Sequence, residues 1–203
     1  MWWWMACTAT TSGDLATDPP PEATTEVPAP APSTPAEPAD AALAKAEQLL
    51  HEAQGRLQAR MIGELNTRGP SEALSTCSIE AQALTTPAQP DPGARVGRSS
   101  LRLRNPANAA PPWVEAWLQA QGERPVAGVE GVHRVEDTPG GQVARVLMPI
   151  GTMEPCLRCH GDPATLDAEV VAKLRERYPE DHATGYAVGD LRGALWAEVA
   201  VTP

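Results

Sequence analysis

Hydrophobic side chains recur at helical spacing over residues 40–66, and charged and amide side chains fill the positions between them. The resulting stripe consists of Leu43, Leu50, Leu57, Met61 and Leu65. Arg68-Gly69-Pro70 interrupts the pattern, because Gly and Pro are both unfavourable inside a helix. A second helix is predicted over 71–85. The apolar face of this helix consists of Ala73, Cys77, Ala81 and Leu84, so Cys77 is expected to point inward.

A strand is predicted over 95–103, because side chains that alternate with period two point to opposite faces. Leu101 and Leu103 then point to one face of the strand. The opposite face carries Arg98, Arg102 and Arg104. The later predicted elements are a helix over 111–122, hairpin strands over 126–136 and 140–150 joined around 137–141, a helix over 166–179, a glycine-punctuated loop over 182–193 and a strand over 193–203.

This order of elements predicts the fold class. Strands joined by a hairpin favour an antiparallel sheet with helices packed on it, which makes an α+β domain. The chain has 203 residues, enough for one such domain, which we place at 39–203. The formal net charge of −10 argues against a nucleic-acid-binding protein, because such proteins cluster Lys and Arg against phosphate.

The N-terminal region differs in composition from the rest. The first 40 residues hold 8 of the 22 prolines and six acidic side chains, but no Lys or Arg. Segment 8–38 has few large apolar side chains to bury, so it is predicted to be a disordered, acidic, Pro-rich tether. Segment 1–7, MWWWMAC, is too short and too uncharged for a complete secretory signal.

Segment 1–7 nevertheless resembles the end of a bacterial lipoprotein signal. A small residue, Ala6, precedes Cys7, and a Pro-rich stretch follows it, although Trp4 and Met5 match that signal poorly. We therefore interpret 1–7 as the remnant of an export signal and Cys7 as a candidate for lipidation and membrane attachment. The alternative is that Cys7 is an incidental cysteine.

The sequence CLRCHG at 156–161 is the feature that points to chemistry. Cys-x-x-Cys-His is the attachment signal for c-type haem, in which two thiols bond to the porphyrin and the histidine binds iron. One covalent haem c, held by Cys156, Cys159 and His160, is the main prediction. A zinc site that also uses Cys77 and a thioredoxin-like redox dithiol are the alternatives.

The iron also needs a second axial ligand or an open site. The candidates are Cys77, Met148, Met153, His133 and His182. Met148 fits a core position, and His133 fits a surface position. Cys77 either binds the iron or is a buried free cysteine that packs as a small hydrophobic residue.

Six blocks in collinear order make residues 40–203 resemble a family of monohaem cytochromes c with a PAS-like fold. They are STCSIEAQAL around Cys77 and the segments 96–108, 112–117, 156–163, 178–186 and 189–194. The resemblance implies a PAS-like antiparallel sheet, with axial ligation by His160 and by Cys77 from an N-terminal helix. Arg98, Arg102 and Arg104 lie in its signature stretch, and we consider them candidates to pair with the haem propionates.

The expected function is electron transfer or redox and gas sensing in the periplasm, with CO or NO as candidate gas ligands and a redox partner protein that the sequence does not identify. We predict no enzymatic activity, since two protein ligands leave no position for a substrate. A haem enzyme with an open distal site, or a zinc-binding structural domain, is the alternative.

Overall fold

The computed structural model describes residues 38–85 and 92–202, except for the side chains of Thr76 and Cys77. Pro38, assigned by sequence to the end of the tether, is instead the first residue of a helix. The rest of the predicted tether and the predicted signal remnant, with Cys7, lie outside the described residues.

The helices are α1 (Pro38–Thr85), α2 (Pro112–Gln121), α3 (Leu157–His160) and α4 (Ala168–Arg177). The strands are β1 (Ala94–Ser99), β2 (Val132–Thr138), β3 (Gly141–Gly151) and β4 (Leu191–Ala200). Short 3-10 turns occupy Pro106–Asn108 and Glu154–Cys156.

Helix α1 is divided by a kink at the position where the sequence predicts a break. Gly69 has φ 82° and ψ 175°, a backbone conformation that residues other than glycine rarely adopt. Pro70 follows it and begins the second part of the helix, where the missing N–H of proline removes no helical hydrogen bond. The two predicted helices therefore exist as two parts of one kinked helix.

The strands form an antiparallel sheet in the order β1-β4-β3-β2. β2 and β3 make the predicted hairpin, closed by Pro139 and Gly140 between the paired residues Thr138 and Gly141. Gly97 of β1 lies directly against the indole of Trp196 in β4. A Cβ atom at position 97 would be 2.2 Å from that indole, so the close approach requires glycine. The predicted α+β class with a PAS-like antiparallel sheet is confirmed.

Successive side chains of each strand point to opposite faces of the sheet, and helices cover both faces. Leu195 and Val146 face α1, where they pack with Leu50. Trp196 and Leu147 face the other way, where they pack with residues of α2. Full burial of a side chain such as that of Leu147 contributes about 1.5–3 kcal/mol, so this two-sided core fixes the sheet between its helices.

The prediction of a strand over 95–103 is wrong beyond Ser99, where β1 ends. The Ser100 hydroxyl donates to the Arg192 carbonyl (2.6 Å) and accepts from the Arg102 N–H (3.1 Å), which turns the chain out of the sheet. Leu101 is consequently exposed, and its expected common face with Leu103 does not exist.

Other boundaries also differ from prediction. β2 begins at Val132, because Val126–Val129 closes a separate turn through the Val129 N–H and the Val126 carbonyl (3.0 Å). β4 begins at Leu191, within the predicted loop. Among the described residues, no helix has the length and apolar character that crossing a membrane requires.

Candidate functional site

A cavity of about 390 Å³ lies between α1, the chain after β1, the end of β3 and the Cys-x-x-Cys-His segment. Its volume is in the range of about 300–1,000 Å³ that is typical of cofactor and small-molecule sites. Cys156, Cys159 and His160 all line it. The fold therefore places the complete sequence motif on the wall of one cavity.

The motif is helical. The 3-10 turn Glu154–Cys156 leads directly into α3, so Cys156 and Cys159 are three residues apart on one side of a helical turn. The thiol of Cys156 is buried and accepts the Met153 N–H at 3.4 Å. Cys159 packs against a cluster that joins α1 to α4 and includes Leu74.

His160 lines the cavity and is held through one of its ring nitrogens. Its Nδ1 atom lies 2.6 Å from the Ala183 carbonyl, which accepts only if Nδ1 carries the proton. Nε2 then has a free lone pair, and Arg192 Nη1 lies 3.3 Å from it. Burial, and then the positive charge of Arg192, holds the pKa of His160 well below its ordinary 6.5, so the imidazole is neutral. A neutral imidazole fixed through its other nitrogen is the usual form of a metal ligand.

Arg104 connects the motif to the segment that follows α4. Its Nη2 atom lies 2.5 Å from the Cys159 carbonyl, 3.0 Å from Asp181 Oδ2 and 3.3 Å from the Ala183 carbonyl. Asp181 in turn accepts the Ala183 N–H at 2.8 Å. Arg104 therefore holds in place the carbonyl that orients His160.

Arg102 and Arg98 also line the cavity. The Arg102 guanidinium stacks on the Tyr186 ring at 3.8 Å, and its Nε lies 3.5 Å from a carboxylate oxygen of Glu123. The Tyr186 N–H donates to the His160 carbonyl at 3.0 Å, so Arg102 supports the motif indirectly.

Another part of the cavity wall belongs to α1. Its lining side chains are mostly aliphatic: Leu57, Met61, Leu65, Ala73, Leu74, Ala81 and Leu84. They include three members of the predicted leucine–methionine stripe, which thus faces a cavity as well as the sheet.

A model of the Tll0287-like family matches residues 35–200, nearly the whole chain. The chain belongs to the Tll0287-like family. The family resemblance drawn from the sequence is confirmed by this match. Among solved structures, the chain is similar to the crystal structure of the cyanobacterial haem protein Tll0287, with 22% identity and a TM-score of 0.46, over 74% of this chain and 91% of that one. No curated protein matches the sequence.

In this Tll0287-like chain, Cys77 lies in the second part of α1. It stands four residues after Ala73 and four before Ala81, and both alanines line the cavity. Its side chain lies outside the described part of the structure, so its ligand role stays a prediction.

The other candidate iron ligands lie elsewhere, with one exception. His133 is half exposed and pairs with Glu47 at 3.1 Å, and His182 is exposed and does not line the cavity. Met148 packs in the core, as predicted, whereas Met153 lines the cavity. The described side chains contain no group of three or more His, Cys, Asp and Glu residues that could hold a metal ion.

Arg192 is a cavity residue that the sequence analysis missed. It lies in the 189–194 block, to which no role was given, and within a segment predicted as loop. The signal that could have identified it is a single arginine at the start of a mostly apolar closing strand, in which Glu198 is the other charged residue.

Proposed function

We propose that this Tll0287-like chain is a c-type monohaem protein in which Cys156 and Cys159 hold the porphyrin through thioethers and His160 binds the iron. One observation carries the proposal: the three residues line a single cavity, and the Ala183 carbonyl holds His160 through Nδ1, which leaves the Nε2 lone pair available to a metal. The haem named for the related crystal structure supports the same assignment.

The residues present suit a porphyrin. Aliphatic side chains of α1 offer an apolar wall to the flat ring, and the two cysteines line the same cavity. The lining residues include four arginines, Arg98, Arg102, Arg104 and Arg192, and no acidic residue among those described. An apolar cavity with a cationic margin matches a ring that carries carboxylates.

Cys77 is the proposed second axial ligand. A bound haem supplies a one-electron Fe(III)/Fe(II) couple. The Cys77 thiolate is anionic and donates strongly, so it stabilises the ferric state and a reduction potential below that of a Met/His-ligated cytochrome is expected. With His160 and Cys77 both bound, no iron position would be left for a substrate, so the proposed role is electron transfer or redox sensing rather than catalysis. Gas sensing would require Cys77 to leave the iron on reduction, so that CO or NO could bind in its place.

The proposal includes a place in the cell. Thioether attachment of haem occurs outside the cytoplasm, so the chain is assigned to the periplasm. Attachment to a membrane through a lipidated Cys7 belongs to the same proposal, and lipid chains added there would hold the domain to a bilayer according to their number.

The test is expression of the full chain in cells that mature c-type cytochromes. The expected product is red, keeps its pigment through acid–acetone extraction and carries one haem by mass. Cys156→Ser and Cys159→Ser should each lose a thioether, whereas Cys77→Ala should keep both and change a low-spin ferric spectrum into a high-spin one.

Each alternative has its own outcome in this experiment. Colourless protein that contains zinc would contradict the haem assignment. A ferric spectrum that Cys77→Ala does not change would leave the haem in place but exclude Cys77 as its ligand. A native spectrum that is already high-spin would favour an open distal site.

A further inference from the structure

Arg192 occupies an irregular position in the sheet. In the register of β3 with β4, Ile150 pairs with Gly193 and Gly151 with Leu191, so Arg192 has no partner residue on β3. An extra residue of this kind is a β-bulge, and bulges beside functional sites redirect a side chain. Here the redirected side chain lines the cavity, and the Arg192 carbonyl is held by the Ser100 hydroxyl at 2.6 Å.

The charge of Arg192 lacks the compensation that two neighbouring arginines have. Arg104 pairs with Asp181 and Arg102 with Glu123, but in the described part of the chain no carboxylate pairs with Arg192. The Nε atom of Arg192, like that of Arg102, is buried without a hydrogen-bond partner, and burial lowers the pKa of the Arg192 guanidinium. Buried charges in proteins are normally paired, because an unpaired one is costly to desolvate.

The side-chain contact that Arg192 does have is incompatible with the proposed cofactor. Its Nη1 atom lies 3.3 Å from His160 Nε2, the atom that would bind iron. Once that lone pair is donated to a metal, it can no longer accept a hydrogen bond from Arg192. The guanidinium then needs another acceptor inside a cavity whose described lining contains no carboxylate.

We propose that Arg192 binds a carboxylate of the porphyrin. When the iron is in place, the Arg192 guanidinium would lose its contact with His160 Nε2 and pair with that carboxylate instead. This inference rests on the proposed function and assigns a residue to the cofactor's acidic edge. A guanidinium suits that edge because its planar fork can bind both carboxylate oxygens. Of the three arginines that the sequence suggested for this role, Arg102 and Arg104 already pair with protein carboxylates. The third, Arg98, lines the same cavity as Arg192.

The direct test compares two porphyrins that cannot form thioethers. Iron(III) mesoporphyrin IX has ethyl groups instead of vinyl groups, and its dimethyl ester also lacks the ionised carboxylates. Each is titrated into the full haem-free chain, with tryptophan fluorescence as the measurement. We expect the native chain to prefer the diacid roughly tenfold or more.

The variants decide whether Arg192 causes that preference. Arg192→Met should bring the affinity ratio near one, and Arg192→Lys should restore part of it. The matched control is Arg134→Met, which removes an exposed arginine of β2 that pairs with Glu136 and does not line the cavity, and it should keep the native ratio. A native ratio in Arg192→Met, or an equal loss of affinity for both porphyrins, would overturn the inference.

A second measurement on the haem-loaded protein covers variants that fold poorly without haem. The native midpoint potential should be flat near neutral pH, because Arg192 keeps the carboxylate ionised. In Arg192→Met it should fall and depend on pH between about pH 5 and 8, as the carboxylate pKa rises. A native pH profile in that variant contradicts the inference even if haem is bound, whereas failure of the native chain to take up haem or mesoporphyrin contradicts the proposed function as well.

Discussion

The two walls of the cavity are built on different principles. The motif wall, formed by Cys156–His160 with Arg104 and Arg192, is fixed by directional hydrogen bonds to carbonyls and carboxylates. The helix wall, formed by the cavity-lining residues of α1, is largely aliphatic and makes contacts without a preferred direction. The motif residues thus lie where hydrogen bonds fix the geometry, and the helix wall offers mainly apolar contacts.

The helix wall is held through the kink of α1 and through an ion pair that joins the two parts of this helix. Its two parts meet at Gly69, and a bidentate ion pair joins Arg60 of the first part to Glu80 of the second at 2.7 and 3.0 Å. Arg60 also contacts the buried Glu64 at 2.7 Å. The part of α1 that carries Cys77 is thus positioned by one glycine conformation and one ionic cluster.

The largest expected effect comes from breaking the motif wall at Arg104. The side chains of Arg104 and Asp181 are only 12% and 10% exposed. Removal of one partner leaves a buried charge, so Arg104→Leu should lower the free energy of unfolding by about 3–5 kcal/mol, measured by urea denaturation.

The double variant Arg104→Leu/Asp181→Leu serves as its control. It should lose less than the sum of the two single variants, because neither charge is then left alone. A loss below about 1 kcal/mol in Arg104→Leu would mean that the motif wall does not depend on this pair.

A smaller effect of known sign is expected at the kink of the helix wall. Gly69→Ala should cost about 1–3 kcal/mol, because a side chain is strained at φ 82° and ψ 175° although space for it exists. Gly63→Ala, in the helical part of α1 and with equally open surroundings, should instead stabilise the protein by up to about 1 kcal/mol. Thermal unfolding of both variants measures this, and equal signs would contradict the kink.

Sequence patterns predicted the parts of the fold that depend on local signals. The hairpin follows from Pro139-Gly140 and the kink from Gly69-Pro70. The extension of β1 beyond Ser99 was wrong although the alternation continued there. The reason is long-range: the hydroxyl of Ser100 binds Arg192, and the Leu103 carbonyl accepts the His182 N–H.

The role of Arg192 could not be predicted for a similar reason. A bulge is defined by two strands together, and the register of β3 against β4 is not visible in either segment alone. Arg98, Arg102 and Arg104, the candidates for the haem propionates, all line the cavity, and their pairing with propionates stays a prediction. The partners Glu123 of Arg102 and Asp181 of Arg104 come from distant segments.

The smallest expected effect concerns the ion pair that spans the kink. The hydrogen bond from Arg60 lowers the pKa of Glu80 below its ordinary 4.5. A lowered pKa in the folded state means stability that is present above pH 4.5 and is lost as the pH falls through the lowered value.

Glu80→Gln should therefore be slightly less stable than the native chain at neutral pH and equal to it in acid, as measured by urea denaturation across pH. The difference is small because both side chains are about 40% exposed. Glu72→Gln removes a carboxylate elsewhere on the same helix and should not show this convergence. A difference that persists in acid would exclude the ion pair as its cause.

The bulge at Arg192 also constrains how this chain can change in length. Successive side chains of β4 alternate between the layer of α1 and the layer of α2, so deletion of a paired residue inside the strand would reverse the side chains on one side of the deletion. Deletion of Arg192 is different, because Leu191 and Gly193 would then be neighbours opposite Gly151 and Ile150 in a regular ladder. Leu195 would keep its place toward α1 and Trp196 its place toward α2, so the chain can shorten at position 192 without this inversion, although the cavity would lose its arginine.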